Sequence, residues 1–147
     1  MKVRTKAQDR KALIKRLDKL FSEFIRKRAI KEVGGCQRCL TLKFDTQKDD
    51  GSVLPAWKQL DCSHLWGRKR LSVRFDEDDC VGLCGACHTY FHGNPPEHHQ
   101  FFLERLGQLG YDMLEYRAHR RGCLDLELLW IYLQGRIKEV NNAREDI

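Results

Sequence analysis

Two C-x-x-C units, Cys36-Gln-Arg-Cys39 and Cys84-Gly-Ala-Cys87, constrain this chain more than any other feature. Two residues between thiolates let both sulfurs turn toward one tetrahedral cation, while backbone amides of the turn stabilise their charge. Two such units supply four ligands and close a zinc site with no open position. A closed site is structural and contributes folding free energy directly. The gap between the units is longer than in compact ribbons, so a folded segment must lie between them. A thioredoxin-like redox pair needs one unit after a strand in a βαβ setting, and that setting is missing. An iron–sulfur cluster also uses four thiolates, but zinc is the expectation. Cys80 stands four residues before Cys84 as a further candidate ligand. It reads more simply, with Cys62 and Cys123, as a small buried hydrophobe.

At 147 residues the chain fits one core with helical additions and has no need of disulfides. Its hydrophobic fraction of 41% is that of a globular protein. Met1–Arg10 is polar with no apolar run after it, and no apolar stretch is long enough to span a bilayer. The expectation is a reducing cytoplasm and no membrane partner; in that compartment paired cysteines mean metal more often than disulfide. The formal net charge of +6 is uneven. Residues 1–32 hold 12 Lys+Arg against 4 Asp+Glu, whereas residues 33–147 hold 15 against 17. A basic arm on a neutral body suits a phosphate backbone, although a solvated helix face has the same look.

Spacing predicts a helix over 8–31, with Leu13, Leu17, Leu20, Phe21 and Phe24 on one face and Gly34-Gly35 as its stop. Lys15, Arg16, Lys19, Arg26 and Lys27 fall mostly off that stripe. Segment 40–54 reads as a loop or irregular ribbon. Trp57–His64 and Ser72–Phe75 read as short strands, with a basic turn at Gly67, Arg68 and Lys69 between them. Asp76–Asp79 reads as an acidic turn before a helix that starts near Leu83 and runs to His92. Asn94-Pro95-Pro96-Glu97 has the makings of a capping box for a helix to about Leu106. Gly107 and Gly110 should break it; helices over 112–119 and 125–140 follow, and 141–147 should fray.

His64 stands at the end of a predicted strand inside the segment bracketed by the cysteine pairs. Arg68, Lys69, Arg70 and Arg74 follow and could hold a phosphate backbone. His88 directly follows Cys87; His92 lies four residues on, on the same helix face, so both could reach one metal. Phosphodiester cleavage needs a base near neutral pH, which suits imidazole, and a cation to neutralise the phosphate and the leaving oxygen. Asp61 could add a carboxylate or be a surface acid at a strand end.

These residues resemble the HNH, or ββα-metal, endonucleases, and more closely the phage NinG/Rap recombination endonucleases. The matching stretches are Arg16-Leu17-Asp18 with Phe21-Ser22, Ile25-Arg26 and Arg28; the Cys36/Cys39 pair; Asp61-Cys62-Ser63-His64; Arg74-Phe75-Asp76-Glu77-Asp78; Cys84-x-x-Cys87; and Gly93-Asn94-Pro95 with Glu97. The resemblance covers about residues 13–140, and its central motif, 61–94, is the specific part. It implies an α+β fold, a zinc-stapled ββα-metal core flanked by a long N-terminal helix and C-terminal helices. The parts would be a basic helix over 1–35, the zinc-bound core over 36–94 and a helical region over 95–147, all in one compact domain.

The resemblance makes His64 the general base, Cys36, Cys39, Cys84 and Cys87 the zinc ligands, and His88 the helix ligand of a catalytic Mg²⁺ or Mn²⁺. Asp61 would be a ligand or an orienter of that site, and His92 a less firm ligand. Asn94 also matches the family, though capping explains it. The middle Asn of the pattern falls at Asp79, which would orient His64 and, by its charge, raise the histidine's pKa. The function implied is metal-dependent hydrolysis of branched DNA such as Holliday junctions and D-loops, in the cytoplasm of a bacterial host of a phage or prophage. Arg16, Lys19, Arg26 and Lys27 of the first helix, with Arg68, Lys69, Arg70 and Arg74, would hold DNA arms. A homodimer would grip two duplexes at once. The rival readings are a non-catalytic zinc module that binds DNA or recombination partners, and an HNH nuclease of different substrate preference.

Overall fold

The computed structural model describes residues 2–142; Met1 and residues 143–147, most of the stretch expected to fray, lie outside the described residues. The fold is mixed α+β, mostly helical with two small sheets. Helix α1 runs Lys6–Val33, two residues earlier than expected. Thr5 caps it: its hydroxyl accepts from the Gln8 amide, and the Gln8 side chain accepts from the Thr5 amide. At the other end Gly34 takes a left-handed conformation (φ 72°) and donates to the Ile30 carbonyl. The 40–54 ribbon closes on a two-residue hairpin, β1 (Thr46–Gln47) with β2 (Val53–Leu54).

The central hairpin is β3 (Asp61–His64) antiparallel to β4 (Cys80–Leu83), with Asp61 opposite Leu83 and His64 opposite Cys80. Both boundaries differ from the expected ones. Residues 56–59 form a 3₁₀ turn behind Pro55, whose φ of −61° suits a turn start. Ser72–Phe75 is not a strand: Leu71–Arg74 is one helical turn, α2, because the Val73 amide bonds back to Arg70 and the Val73 side chain is buried. The true partner of β3 is Cys80–Leu83, which the sequence pattern had assigned to the approach of a helix. All four residues of β4 are buried, so the alternation that marks a half-exposed strand is absent.

Helix α3 (Gly85–Gly93) follows β4 at once. Helix α4 (Pro95–His119) is bent at Gly107, where φ 73° and ψ 168° leave the helical region. Gly107 thus separates 95–106 from 108–119 as expected, but Gly110 stays helical. Asn94 does not cap α4 with its side chain; its amide donates to the Tyr90 carbonyl, and Glu97 accepts from the Tyr90 hydroxyl instead of closing a capping box. Helix α5 (Leu126–Asn142) starts where the Asp125 carboxylate accepts from the Leu128 amide.

The β3–β4 hairpin separates two apolar clusters. On one side Val81, Leu83 and Leu65 pack with Phe91 of α3 and Phe102 and Leu114 of α4. On the other, Cys80 and Phe75 pack with Leu17, Phe21 and Phe24 of α1 and Leu126 and Leu133 of α5. α1 crosses β4 closely at Gly82, where an added Cβ would sit 2.6 Å from Ala29 Cβ. Gly82→Ala therefore overpacks this crossing, and we expect a loss of about 1–3 kcal/mol in urea unfolding.

Candidate metal centre and histidine cleft

Cys36, Cys39, Cys84 and Cys87 have sulfurs all within 4.8 Å of one another, and Cys39 Sγ lies 3.8 Å from Cys84 Sγ. Tetrahedral zinc with sulfur at about 2.3 Å needs sulfurs roughly 3.8 Å apart. The four cysteines therefore fit one structural metal such as zinc. The first knuckle is shaped by a Leu40 amide bond to the Cys36 carbonyl, with Leu40 itself at φ 60°, and by a Cys36 amide bond to the Thr41 carbonyl. It is locked to β4 from both sides: the Gln37 amide donates to the Gly82 carbonyl, and the buried Gln37 side chain accepts from the Gly82 amide. In the second knuckle Cys84 precedes the first turn of α3 and Cys87 lies within it, where the helix dipole favours thiolates. Arg38 donates to Cys87 Sγ at 3.4 Å. Hydrogen bonds from Thr41 hold Cys39 down to about 6, while burial and the neighbouring sulfurs push Cys87 up to about 12. Four sulfurs this close hold thiolate charge only unevenly without a cation, which is the chemistry of a metal site. Cys80 is outside this group. Cys123 is exposed rather than buried, and Cys62 is half-buried.

His64 closes β3 and is half-buried, with its ring 6.1 Å from that of Phe21. Its Nε2 lies 3.0 Å from the Arg74 carbonyl. A carbonyl only accepts, so Nε2 carries the hydrogen and the neutral ring keeps its lone pair on Nδ1. Burial pushes the His64 pKa below its ordinary value, against the pull of that carbonyl and with help from Arg68. Two expectations are corrected here. The orienter of His64 is the Arg74 backbone, not Asp79, and the His64 pKa falls instead of rising. Asp79 is fully buried under the loop that follows β3: its Oδ1 accepts from the Trp66 amide and its carbonyl accepts from the Leu65 amide. Asp79 holds the shape of the loop beside His64. Its other carboxyl oxygen has no partner, and burial pushes the group up to about 8.

Asp61, His88 and His92 form a chain. His88 Nδ1 lies 3.1 Å from Asp61 Oδ2, and His88 Nε2 lies 3.3 Å from His92 Nε2. The two imidazoles thus present nitrogens side by side, while Asp61 fixes the ring of His88 through its far nitrogen. His64, His88 and His92 line one cleft of about 310 Å³. The same cleft holds Trp66, His98 and His99, which the sequence reading passed over. His98 stacks on Phe91 at 4.7 Å, and burial depresses its pKa to about 4. His99 Nδ1 lies 2.6 Å from the Tyr111 hydroxyl. Trp66 sits edge-on to His99 and His119. The adjacent His98-His99 pair behind Asn94-Pro95-Pro96 was the available signal: a histidine pair in the first turns of a helix that follows the candidate site.

The basic residues divide into held and free. Asp18 on α1 takes both Arg74 Nε (2.8 Å) and Arg68 Nη2 (2.6 Å), so Arg74 is an internal tie and not a free phosphate contact. Lys27 is paired with Glu23 and Asn141, and Arg16 lies over the Trp130 ring at 4.4 Å. Arg26 lies over Trp57 at 4.7 Å, and Arg70 over Trp66 at 5.2 Å. Lys19 and Lys69 are exposed; Arg68 and Arg70 are exposed too, but held by Asp18 and by the Ala118 carbonyl. Among the described residues no helix is long and apolar enough to cross a membrane. No family model, curated protein or solved structure matches the chain.

Two outcomes follow from this geometry. Cys84→Ser should lose bound zinc by elemental analysis and lower the melting temperature; full zinc content in that variant would exclude Cys84 as a ligand. For Asp79, the folded carboxyl keeps its proton to about 8 while the unfolded one releases it near 3.8. The native state thus binds more protons across that window, and its stability falls as pH rises through it. Asp79→Asn keeps an acceptor for Trp66 and removes the titration. Its stability relative to wild type should gain about 1–3 kcal/mol between pH 6 and pH 8.5 by urea unfolding.

Proposed function

We propose that this chain is a metal-dependent DNA endonuclease of the HNH type that cuts branched recombination intermediates such as Holliday junctions and D-loops. The observation that carries the reading is the cleft behind β3, β4 and α3, which gathers a neutral histidine with one free nitrogen and a pair of imidazoles braced by a carboxylate. The order strand, loop, strand, helix is the one that a ββα-metal core requires, and the four-cysteine group supports a zinc staple on it.

In this mechanism His64 takes a proton from water through Nδ1, and the Arg74 carbonyl keeps the ring in that tautomer. The depressed pKa of His64 keeps it unprotonated at neutral pH, which is the form a base needs. The residues that would hold a divalent cation are His88 and His92, with Asp61 as the carboxylate behind His88. When bound, that cation supplies charge neutralisation at the phosphate and the leaving oxygen. Two imidazole donors suit Mn²⁺ better than Mg²⁺, which prefers oxygen. Lys69, Arg70 and Arg68 stand on the loop beside the cleft, where a DNA backbone would lie. Leu128, Ile131 and Tyr132 are exposed on α5 and supply apolar surface for a homodimer with two such clefts.

The test is a cleavage assay on four-way junctions, D-loops and plain duplex with Mn²⁺ or Mg²⁺. Wild type should cut the branched substrates, more strongly with Mn²⁺. His64→Ala should lose about 10²–10⁴ in rate, the usual contribution of a general base, with junction binding kept. Junction binding with no cutting under any metal would leave the non-catalytic module; equal cutting of duplex and junction would remove the branch preference.

A further inference from the structure

A second group of soft donors lies on the opposite face of the same hairpin. Cys62 and His64 are two residues apart on β3 and therefore share a face, and Cys80 stands directly opposite His64 on β4. The sulfurs of Cys62 and Cys80 and one ring nitrogen of His64 all lie within 4.8 Å of one another. The donors belong to a rigid hairpin under α1, so three ligands are brought together before any cation arrives. Cys80 is fully buried, while Cys62 and His64 keep partial access to solvent, which leaves an entry path.

We infer that Cys62, His64 and Cys80 form a second metal site, distinct from the four-cysteine centre and from the His88/His92 pair, that takes a thiophilic divalent cation of the zinc class. Two thiolates and one imidazole are a zinc donor set, and three protein ligands leave one coordination position open. Binding a cation with sulfur at about 2.3 Å requires the donors to contract from their present spacing by up to roughly 1 Å. Both thiols release their protons to solvent on binding. The second site offers three protein ligands against four, so it is weaker than the first and fills after it. A cation takes His64 through Nδ1, whose lone pair the Arg74 bond leaves free, or through Nε2 by displacing that bond. On the nuclease reading a cation on Nδ1 occupies the lone pair that accepts the proton of water, and one on Nε2 breaks the Arg74 bond that fixes the tautomer, so filling the site switches cutting off. The site itself needs no nuclease activity.

The experiment starts from protein carrying one zinc, kept in a non-thiol reductant. Co²⁺ is titrated in and followed by its thiolate charge-transfer and visible bands, and Zn²⁺ is titrated against a chromophoric chelator. A second equivalent should bind with thiolate character. Cys62→Ser and His64→Asn should each weaken that equivalent at least tenfold while leaving the first equivalent and the circular dichroism unchanged. Binding of only one equivalent, or a second equivalent of undiminished affinity in Cys62→Ser, overturns the proposal. In the cleavage assay, Zn²⁺ beyond the first equivalent should stop wild type at a concentration that leaves Cys62→Ser cutting. Equal inhibition of the two overturns the switch. A protein that cuts nothing yet binds the second equivalent through Cys62 refutes the nuclease reading and leaves the metal site standing.

Discussion

Four sulfurs converge where the end of α1 meets the start of α3, and the rest of the molecule is organised around that point. The first knuckle begins two residues after the cap of α1, and the second opens α3. The hydrogen bonds between Gln37 and Gly82 extend the clamp to β4. A hairpin of four-residue strands is marginal by itself. This one is held at one edge by the knuckle, on one face by α1 and on the other by α3 and α4. The geometry of His64 against His88 is therefore set by elements that the cysteines tie together.

Charge in the loop between β3 and β4 serves mainly to hold the loop. Asp18 takes Arg68 and Arg74, Arg28 donates to the carbonyls of Glu77 and Cys80, and Arg117 clasps Asp76 and Asp78. Arg136 of α5 reaches Glu77. The partly buried Asp18–Arg74 pair is bidentate, a geometry in which an ion pair is worth more than a surface contact. The acidic turn at 76–79 is thus a docking point for three helices. A basic count read along the chain overstates what remains for an external phosphate.

The hairpin also divides two kinds of chemistry. Asp61 and Ser63 face α3, next to the imidazoles of His88 and His92; Cys62 and His64 face α1 and the buried Cys80. His64, at the strand end, reaches both the cleft and the thiols. Alternation along four residues thereby puts a histidine of the cleft within reach of two sulfurs.

By itself the sequence determined what short-range spacing can carry. C-x-x-C turns declare a four-sulfur site because two intervening residues bring both sulfurs to one cation. The 3.6-residue stripe on α1, the Gly34 stop and the helix break at Gly107 were legible for the same local reason. Tertiary structure decided the rest. β4 was hidden because burial on both faces erases alternation, and Ser72–Phe75 looked like a strand because polar and apolar residues alternate there over too few positions to declare a period. The roles of Asp79 and Arg74 also waited on the fold. Whether a carboxylate orients a histidine or a backbone turn depends on which amide lies within 3 Å of it, and contacts between residues far apart in sequence leave no spacing to read.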